Sequence, residues 1–175
     1  MITRDWIRMM AAYNSEMNRR LYDAAATMSD AERRVDRGAF FGSLHGTLSH
    51  LVWGDHAWMA RFAGWDRMPG GIPGSPHLFE TWDALCAARV KADAGIESWA
   101  AGVEQAWLRD NLVWFSDAVG REMSKPVWVL VTHFFNHQTH HRGQAHGLIT
   151  QVGIRPGDTD LPWVVDLDAL GIAKG

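Results

Sequence analysis

The chain has 175 residues, of which 47% are hydrophobic and 21% charged, and its formal net charge is −3 at pH 7. This length suits one globular domain over residues 1–175, and the scattered basic residues lack the charged patch of a nucleic-acid-binding protein. The single cysteine, Cys86, excludes an internal disulfide and a cysteine-rich metal site. No signal peptide and no uncharged apolar run of ~18 residues is evident, so we expect a cytoplasmic protein without a membrane partner.

The first two thirds of the chain contain three stretches with apolar residues at helical spacing. They predict a first helix over residues 3–28 and a second over residues 43–62. A capping box formed by Ser29 and Glu32 predicts a short helical turn between them. The pair Ser75-Pro76 indicates the start of the third helix, which extends to about residue 103, because serine caps helices and proline is favoured in their first turn.

The last third of the chain begins with an interruption of the helical period over residues 108–120, where residues 111–115 predict a short extended segment. Ser124 and Pro126 indicate the start of a fourth helix over residues 126–152, which Gly153 ends. Residues 161–167 are expected to pack back on the helices. Four long amphipathic helices are typical of an all-α four-helix bundle, and their long connections permit crossovers.

The predicted fourth helix carries two histidines, His137 and His141, on its apolar face. Because they are four residues apart, they are turned by only about 40° and separated by roughly 6 Å along the axis, so both rings can reach one metal ion. A buried imidazole needs a partner, and one cation satisfies two rings. For any single core histidine, a neutral ring hydrogen-bonded to a neighbour is the ordinary alternative.

A third ligand must come from another helix, and His50 is the best candidate. It lies on a stripe of small and polar residues of the second helix: Ser43, Thr47, Gly54 and Ala57. Three protein ligands leave a coordination position for water or substrate, as in catalytic zinc sites.

The sequence contains neither H-E-x-x-H nor a glutamate three residues before a histidine, which disfavours zincins and di-iron bundles. Imidazole ligands suit Zn, Ni, Fe and Cu alike.

The fourth helix contains a motif that resembles the signature of the DinB family of metal-dependent enzymes: His133-x-x-Asn136-His137-x-x-His140-His141-Arg142-Gly143-Gln144. Residues 47–51, with Trp53 and Asp55, are similar to the second-helix motif of that family. The resemblance implies a four-helix bundle with crossover connections, commonly dimeric, with a divalent metal held by His50, His137 and His141. Related branches include mycothiol-dependent maleylpyruvate isomerase and bacillithiol transferase, in which a metal activates a low-molecular-weight thiol.

These observations lead to the hypothesis of a metal-dependent enzyme that acts on a small molecule. Three histidines would hold Zn²⁺ or Ni²⁺, and the metal would activate water or a low-molecular-weight thiol, as in a hydrolase or a thiol transferase. The alternative is a non-catalytic stress protein that binds a metal or a small ligand. We expect a homodimer from the family resemblance.

Several further residues are candidates for roles around the metal. Asn136 and Gln144 are candidates to orient the histidine rings, and His133 and His140 flank the pair. Arg142 is expected to pair with a carboxylate at a helix interface rather than with substrate. Asp55 is the candidate general acid or base, with an ion pair to an arginine as the alternative.

Overall fold

The computed structural model describes residues 1–117 and 119–172 and is mostly helical, as predicted. In chain order its helices are α1 (Arg4–Ala26), α2 (Asp30–Arg34), α3 (Leu44–Ala63), α4 (Gly71–Gly74), α5 (Trp82–Gly102), α6 (Val127–Thr150) and α7 (Leu161–Val164). Short 3₁₀ turns span Ser75–His77 and Trp107–Arg109. Two antiparallel strands, β1 (Asn111–Ser116) and β2 (Arg121–Pro126), form a hairpin before α6.

The starts of the first two long helices are confirmed by their cap residues. The hydroxyl groups of Thr3 and Ser43 each accept a hydrogen bond from the third backbone N–H of the helix that follows. The capping box at the start of α2 is also present, with Ser29 and Glu32 each accepting a hydrogen bond from the other's backbone N–H. These side chains satisfy N–H groups that the first helical turn leaves without partners.

The predicted start of the third long helix is wrong. Helix α5 begins at Trp82 and is capped by Thr81, whereas Ser75 opens only a 3₁₀ turn. The hydroxyl group of Ser75 donates to the carbonyl oxygen of Ile72 at 2.7 Å and lies 2.8 Å from Nδ1 of His50. Ser75 therefore uses its hydroxyl in a tertiary contact and does not cap a helix.

The extended segment predicted at residues 111–115 is confirmed as β1, but its partner strand was not predicted. In the register of the hairpin, Trp114 is paired with Met123, and Ser124 lies within β2 rather than at the start of a helix. The sequence of β2 has no regular alternation of apolar and polar residues, so only its pairing with β1 defines it as a strand. Pro126 then immediately precedes α6.

The four long helices pack in a definite pattern: α1 contacts α5 and α6, and α3 contacts the same two helices. The interface between α3 and α6 is the one that concerns function, because it brings together the second and fourth predicted helices. Short helix α7 packs against α1, so this part of the predicted tail does return to the helices. None of the described helices is long and apolar enough to cross a membrane.

Candidate metal centre

His50 lies on the face of α3 that meets α6, and only 3% of its surface is exposed. The ring of Phe41 stacks on its imidazole, with the two centroids 3.8 Å apart. Because the Ser75 hydroxyl already donates its hydrogen to Ile72, it accepts a hydrogen bond from Nδ1–H of His50. The proton of the neutral ring is thereby fixed on Nδ1, and Nε2 is left with a lone pair for a metal.

His137 and His141 face His50 from α6, one helical turn apart, with ring centroids 4.5 Å from each other. Nδ1 of His141 lies 2.8 Å from Oε1 of Gln144, which can only accept a hydrogen bond. The second ring therefore also carries its proton on Nδ1 and directs Nε2 to the cluster. Gln144 thus has the contact expected of a group that orients a metal ligand.

The distances between the three rings fit a metal ion. One ligand nitrogen from each of His50, His137 and His141 can be chosen so that all lie within 4.8 Å of one another. Nε2 of His50 and Nε2 of His137 are 3.4 Å apart. Two nitrogens on one tetrahedral zinc ion, each about 2.0–2.1 Å from it, are separated by roughly 3.3 Å. This pair already has the separation that a shared metal requires.

The electrostatic surroundings keep the three histidines neutral. Burial lowers the pKa of His50 to about 3, and repulsion from the other two rings acts in the same direction. Burial also lowers the pKa of His137 to about 4 and moves the pKa of His141 below its usual value. A neutral imidazole is the form that can bind a metal, so the three rings are already in the required protonation state at neutral pH.

Gly54 allows His137 to approach α3 closely. A β-carbon built at position 54 would lie 2.9 Å from Cε1 of the His137 ring, which is closer than real β-carbons come to other atoms. The small residue one turn after His50 is therefore needed for the ring from α6 to fit. The small-residue stripe around His50 is visible in the sequence, but which ring occupies the space is determined by the packing of α6 against α3.

The three histidines lie in the wall of a cavity of about 900 Å³. Large apolar side chains form much of the remaining wall: Phe40, Phe41, Trp53, Trp58, Met68 and Trp114. The hairpin contributes to it through β1, and the segment after α3 contributes Arg67 and Met68 together with Gly71, Ile72 and Pro73 of α4. A cavity of this size and composition accommodates a small organic molecule next to the three histidines.

The flanking residues named from the sequence occupy different places. His133 packs edge-on against Trp58 in the cavity wall, with centroids 5.1 Å apart. His140 lies beside Gln144, its Nε2 3.3 Å from the side-chain nitrogen of that residue. Asn136 is exposed and forms no hydrogen bond to the described histidines. Of the two amides predicted to orient the rings, Gln144 contacts a ring of the cluster and Asn136 does not.

Arg142 lies at the interface between α1 and α6, buried among polar groups. Its guanidinium donates to Oδ1 of Asn14 and lies over the ring of Tyr13. The expected helix-interface position is therefore found, with an amide in place of the predicted carboxylate. Burial lowers the pKa of Arg142 to about 10.

Asp55 lies in a buried ion-pair network away from the cavity wall. Its Oδ2 accepts a hydrogen bond from Arg89 at 2.5 Å, and its Oδ1 accepts one from Gln138 at 2.7 Å. Arg89 also contacts Asp93 at 2.9 Å. Because both carboxylate oxygens are engaged and the residue is fully buried, the ion-pair alternative describes Asp55 better than a role as general acid or base.

The fold and the site together define a mostly helical protein with a cluster of three histidines that could hold a metal. The sequence model of the DinB family matches residues 2–172, and the chain belongs to this family. Comparison with curated proteins finds no match.

Proposed function

We propose that the protein is a metal-dependent enzyme in which His50, His137 and His141 hold a single Zn²⁺ or Ni²⁺ ion. The observation that carries the proposal is the arrangement of the three rings at one wall of a cavity large enough for an organic substrate. A structural metal site is closed by protein ligands, whereas three protein ligands beside a cavity leave a position open. When bound, the metal would lower the pKa of water or a low-molecular-weight thiol towards neutrality and so supply a nucleophile.

The protein itself would contribute orientation and a largely apolar environment. Ser75 and Gln144 fix the protons of His50 and His141 on Nδ1, so the rings need no rearrangement when they bind the ion. The aromatic wall excludes water from the reacting groups and binds the apolar part of a substrate. No residue of the described cavity wall is assigned as general acid or base.

Metal content is the first test of this function. Protein purified without an affinity tag should contain about one equivalent of a divalent transition metal, measured by elemental analysis. His137→Ala should lose most of it, because two histidines remain of the three that hold the ion. His146→Ala removes an imidazole from the same helix outside the cluster and should retain the metal. Equal occupancy in wild type and His137→Ala would contradict the proposed site.

Turnover separates an enzyme from a metal store. The metal-loaded protein should accelerate the reaction of a low-molecular-weight thiol with an electrophile, or the hydrolysis of an ester or amide, and His137→Ala should not. A protein that holds its metal but is inactive with every thiol and ester of such a panel would instead support the non-catalytic alternative.

Four further features of the protein are proposed alongside this activity. The packing of α1 and α3 against both α5 and α6 supports a four-helix bundle with crossover connections. The homodimer and the cytoplasmic location, together with the absence of a nucleic-acid partner, rest on the sequence and the family. Light scattering after size-exclusion chromatography would test the dimer.

A further inference from the structure

The cavity beside the histidines contains charged groups at the end of α3 that the metal site does not use. Arg61 and Arg67 line it, together with a single carboxylate, Asp117. The histidines of the wall add no positive charge when they are neutral. The described wall therefore has an excess of positive charge even before a metal is added.

Arg61 belongs to the same face of α3 as the metal ligand His50. The positions His50, Gly54, Ala57 and Arg61 are spaced by four, three and four residues, which keeps them on one side of the helix. Three turns, roughly 16 Å of helix, separate the first from the last. The long side chain of Arg61 leans towards the N-terminus of the helix. The distance along the helix axis from its guanidinium to His50 is therefore shorter, about two turns or 11 Å.

The guanidinium of Arg61 is only partly satisfied by the protein. It lies over the ring of Trp58, 5.0 Å from its centroid, and one terminal nitrogen donates to the carbonyl oxygen of Ala57. Its Nε is buried and has no hydrogen-bond partner among the described residues. No carboxylate of the described chain forms an ion pair with it. Burial and then the neighbouring Arg67 lower the pKa of Arg61, and the weaker attraction of Asp117 opposes them without cancelling them. A bound anion would therefore relieve an unfavourable charge.

Arg67 is a second, more exposed donor. Its nearest carboxylate oxygen belongs to Asp117, at 3.6 Å, and both side chains are more than half exposed. An exposed ion pair of this kind contributes little free energy, so an incoming anion can compete with Asp117 for Arg67. The two arginines thus form a cationic end to an otherwise largely aromatic cavity.

We propose that the substrate of this cavity is an organic carboxylate with an apolar or aromatic body, held at its anionic end by Arg61 and Arg67. The body would lie between Trp58 and the neighbouring rings, and the end remote from the carboxylate would reach the histidines. Arginine suits this role because its planar guanidinium can donate two parallel hydrogen bonds to a carboxylate. The inference rests on the proposal that this cavity is the substrate site.

A pair of matched probes tests the charge preference. The carboxylate 3-phenylpropionate and its neutral amide, 3-phenylpropionamide, have the same body and differ in charge. The tryptophans of the cavity wall report binding through their fluorescence. In metal-free protein at low ionic strength, we expect the carboxylate to bind about tenfold more tightly than the amide. The preference should weaken as salt is raised, because screening reduces it.

Substitutions assign the preference to the arginines. Arg61→Met keeps an unbranched side chain to pack on Trp58 and should remove most of the preference, leaving only the small part that the exposed Arg67 supplies. Arg155→Met, at an exposed arginine of the C-terminal segment outside the cavity, should leave the preference unchanged. Asp117→Asn removes the competing carboxylate and should tighten binding of 3-phenylpropionate about two- to threefold. A gain of affinity cannot result from misfolding.

The outcomes separate this inference from the metal proposal. Equal binding of the two probes by wild type, absence of carboxylate binding at millimolar concentration, or an unchanged preference in Arg61→Met would each overturn it. Repeating the titration with zinc added detects a carboxylate that binds the metal instead. Binding of a carboxylate to the metal would be lost in His137→Ala but kept in Arg61→Met. This outcome would also count against the inference. Failure of the metal proposal would appear separately, as a wild-type protein that takes up no zinc yet keeps the arginine-dependent preference.

Discussion

Gly54→Ala should impair metal binding while leaving helix α3, which contains this residue, intact. The added β-carbon would lie 2.9 Å from Cε1 of His137, whereas ordinary contacts begin at 3.4 Å. The ring must therefore retreat by about 0.5 Å or turn away from α3. Metal–ligand distances tolerate deviations of about ±0.2 Å. A displacement of this size takes His137 out of the geometry that a shared metal requires with His50.

The expected loss can be expressed as affinity and as free energy. Disturbing the orientation of one ligand typically lowers metal affinity about 10- to 100-fold, which corresponds to roughly 1.4–2.7 kcal/mol. The same substitution favours the helical conformation by up to about 1 kcal/mol, because alanine has a higher helix propensity than glycine. The free energy of unfolding of the metal-free protein should therefore stay within about 1 kcal/mol of wild type. The additional stability gained on adding zinc should shrink by roughly 1.4–2.7 kcal/mol.

Competition for zinc against a coloured chelator measures the affinity, and urea unfolding with and without zinc measures the stability. Gly147→Ala is the matched control, because a β-carbon at this position of α6 meets no other atom within 4 Å. It should keep the wild-type affinity for zinc. The reasoning is refuted if Gly54→Ala binds zinc as tightly as wild type, or if its metal-free form loses the helical fold.

Two further substitutions address the groups behind the site. Ser75→Ala removes the acceptor of the Nδ1–H of His50. It should weaken zinc binding about 10-fold or more while leaving one site per chain. Chelator competition measures this affinity, and a value equal to that of wild type would contradict the role of Ser75. Arg89→Leu leaves the carboxylates of Asp55 and Asp93 buried without their cation. We expect it to lower the free energy of unfolding by about 3–5 kcal/mol in urea titrations, and a loss below 1 kcal/mol would be inconsistent with the network.

The cluster of three histidines could be predicted from the sequence because local helical geometry determines most of its arrangement. His137 and His141 share a helix, so their spacing alone brings the rings together. His50 could be named as a candidate because it lies on a stripe of small and polar residues of its helix, where small side chains leave room around its ring. What joins the two helices is tertiary packing, and no spacing within either helix gives the 3.4 Å between His50 and His137.

Ser75 shows why some contacts could not be predicted. A serine before proline has the local signature of a helix cap, and nothing nearby in the sequence indicates that its hydroxyl contacts a histidine 25 residues away.

The contact between Asp55 and Arg89, by contrast, could have been predicted. Both occupy the apolar faces of predicted helices, and two opposite charges in such positions could have been paired from the sequence. The strand β2 was missed because its residues have no extended pattern of their own.

The contact between His50 and His137 joins positions 87 residues apart in the chain. A metal held by both would act as a reversible cross-link that closes this long loop, much as a disulfide does. Unlike a disulfide, it cannot form between the unfolded segments with useful affinity, because the ligands converge only when α3 and α6 have packed. Loading with metal would therefore stabilise the packed helices relative to the unfolded chain, and chelation would remove only that added stability.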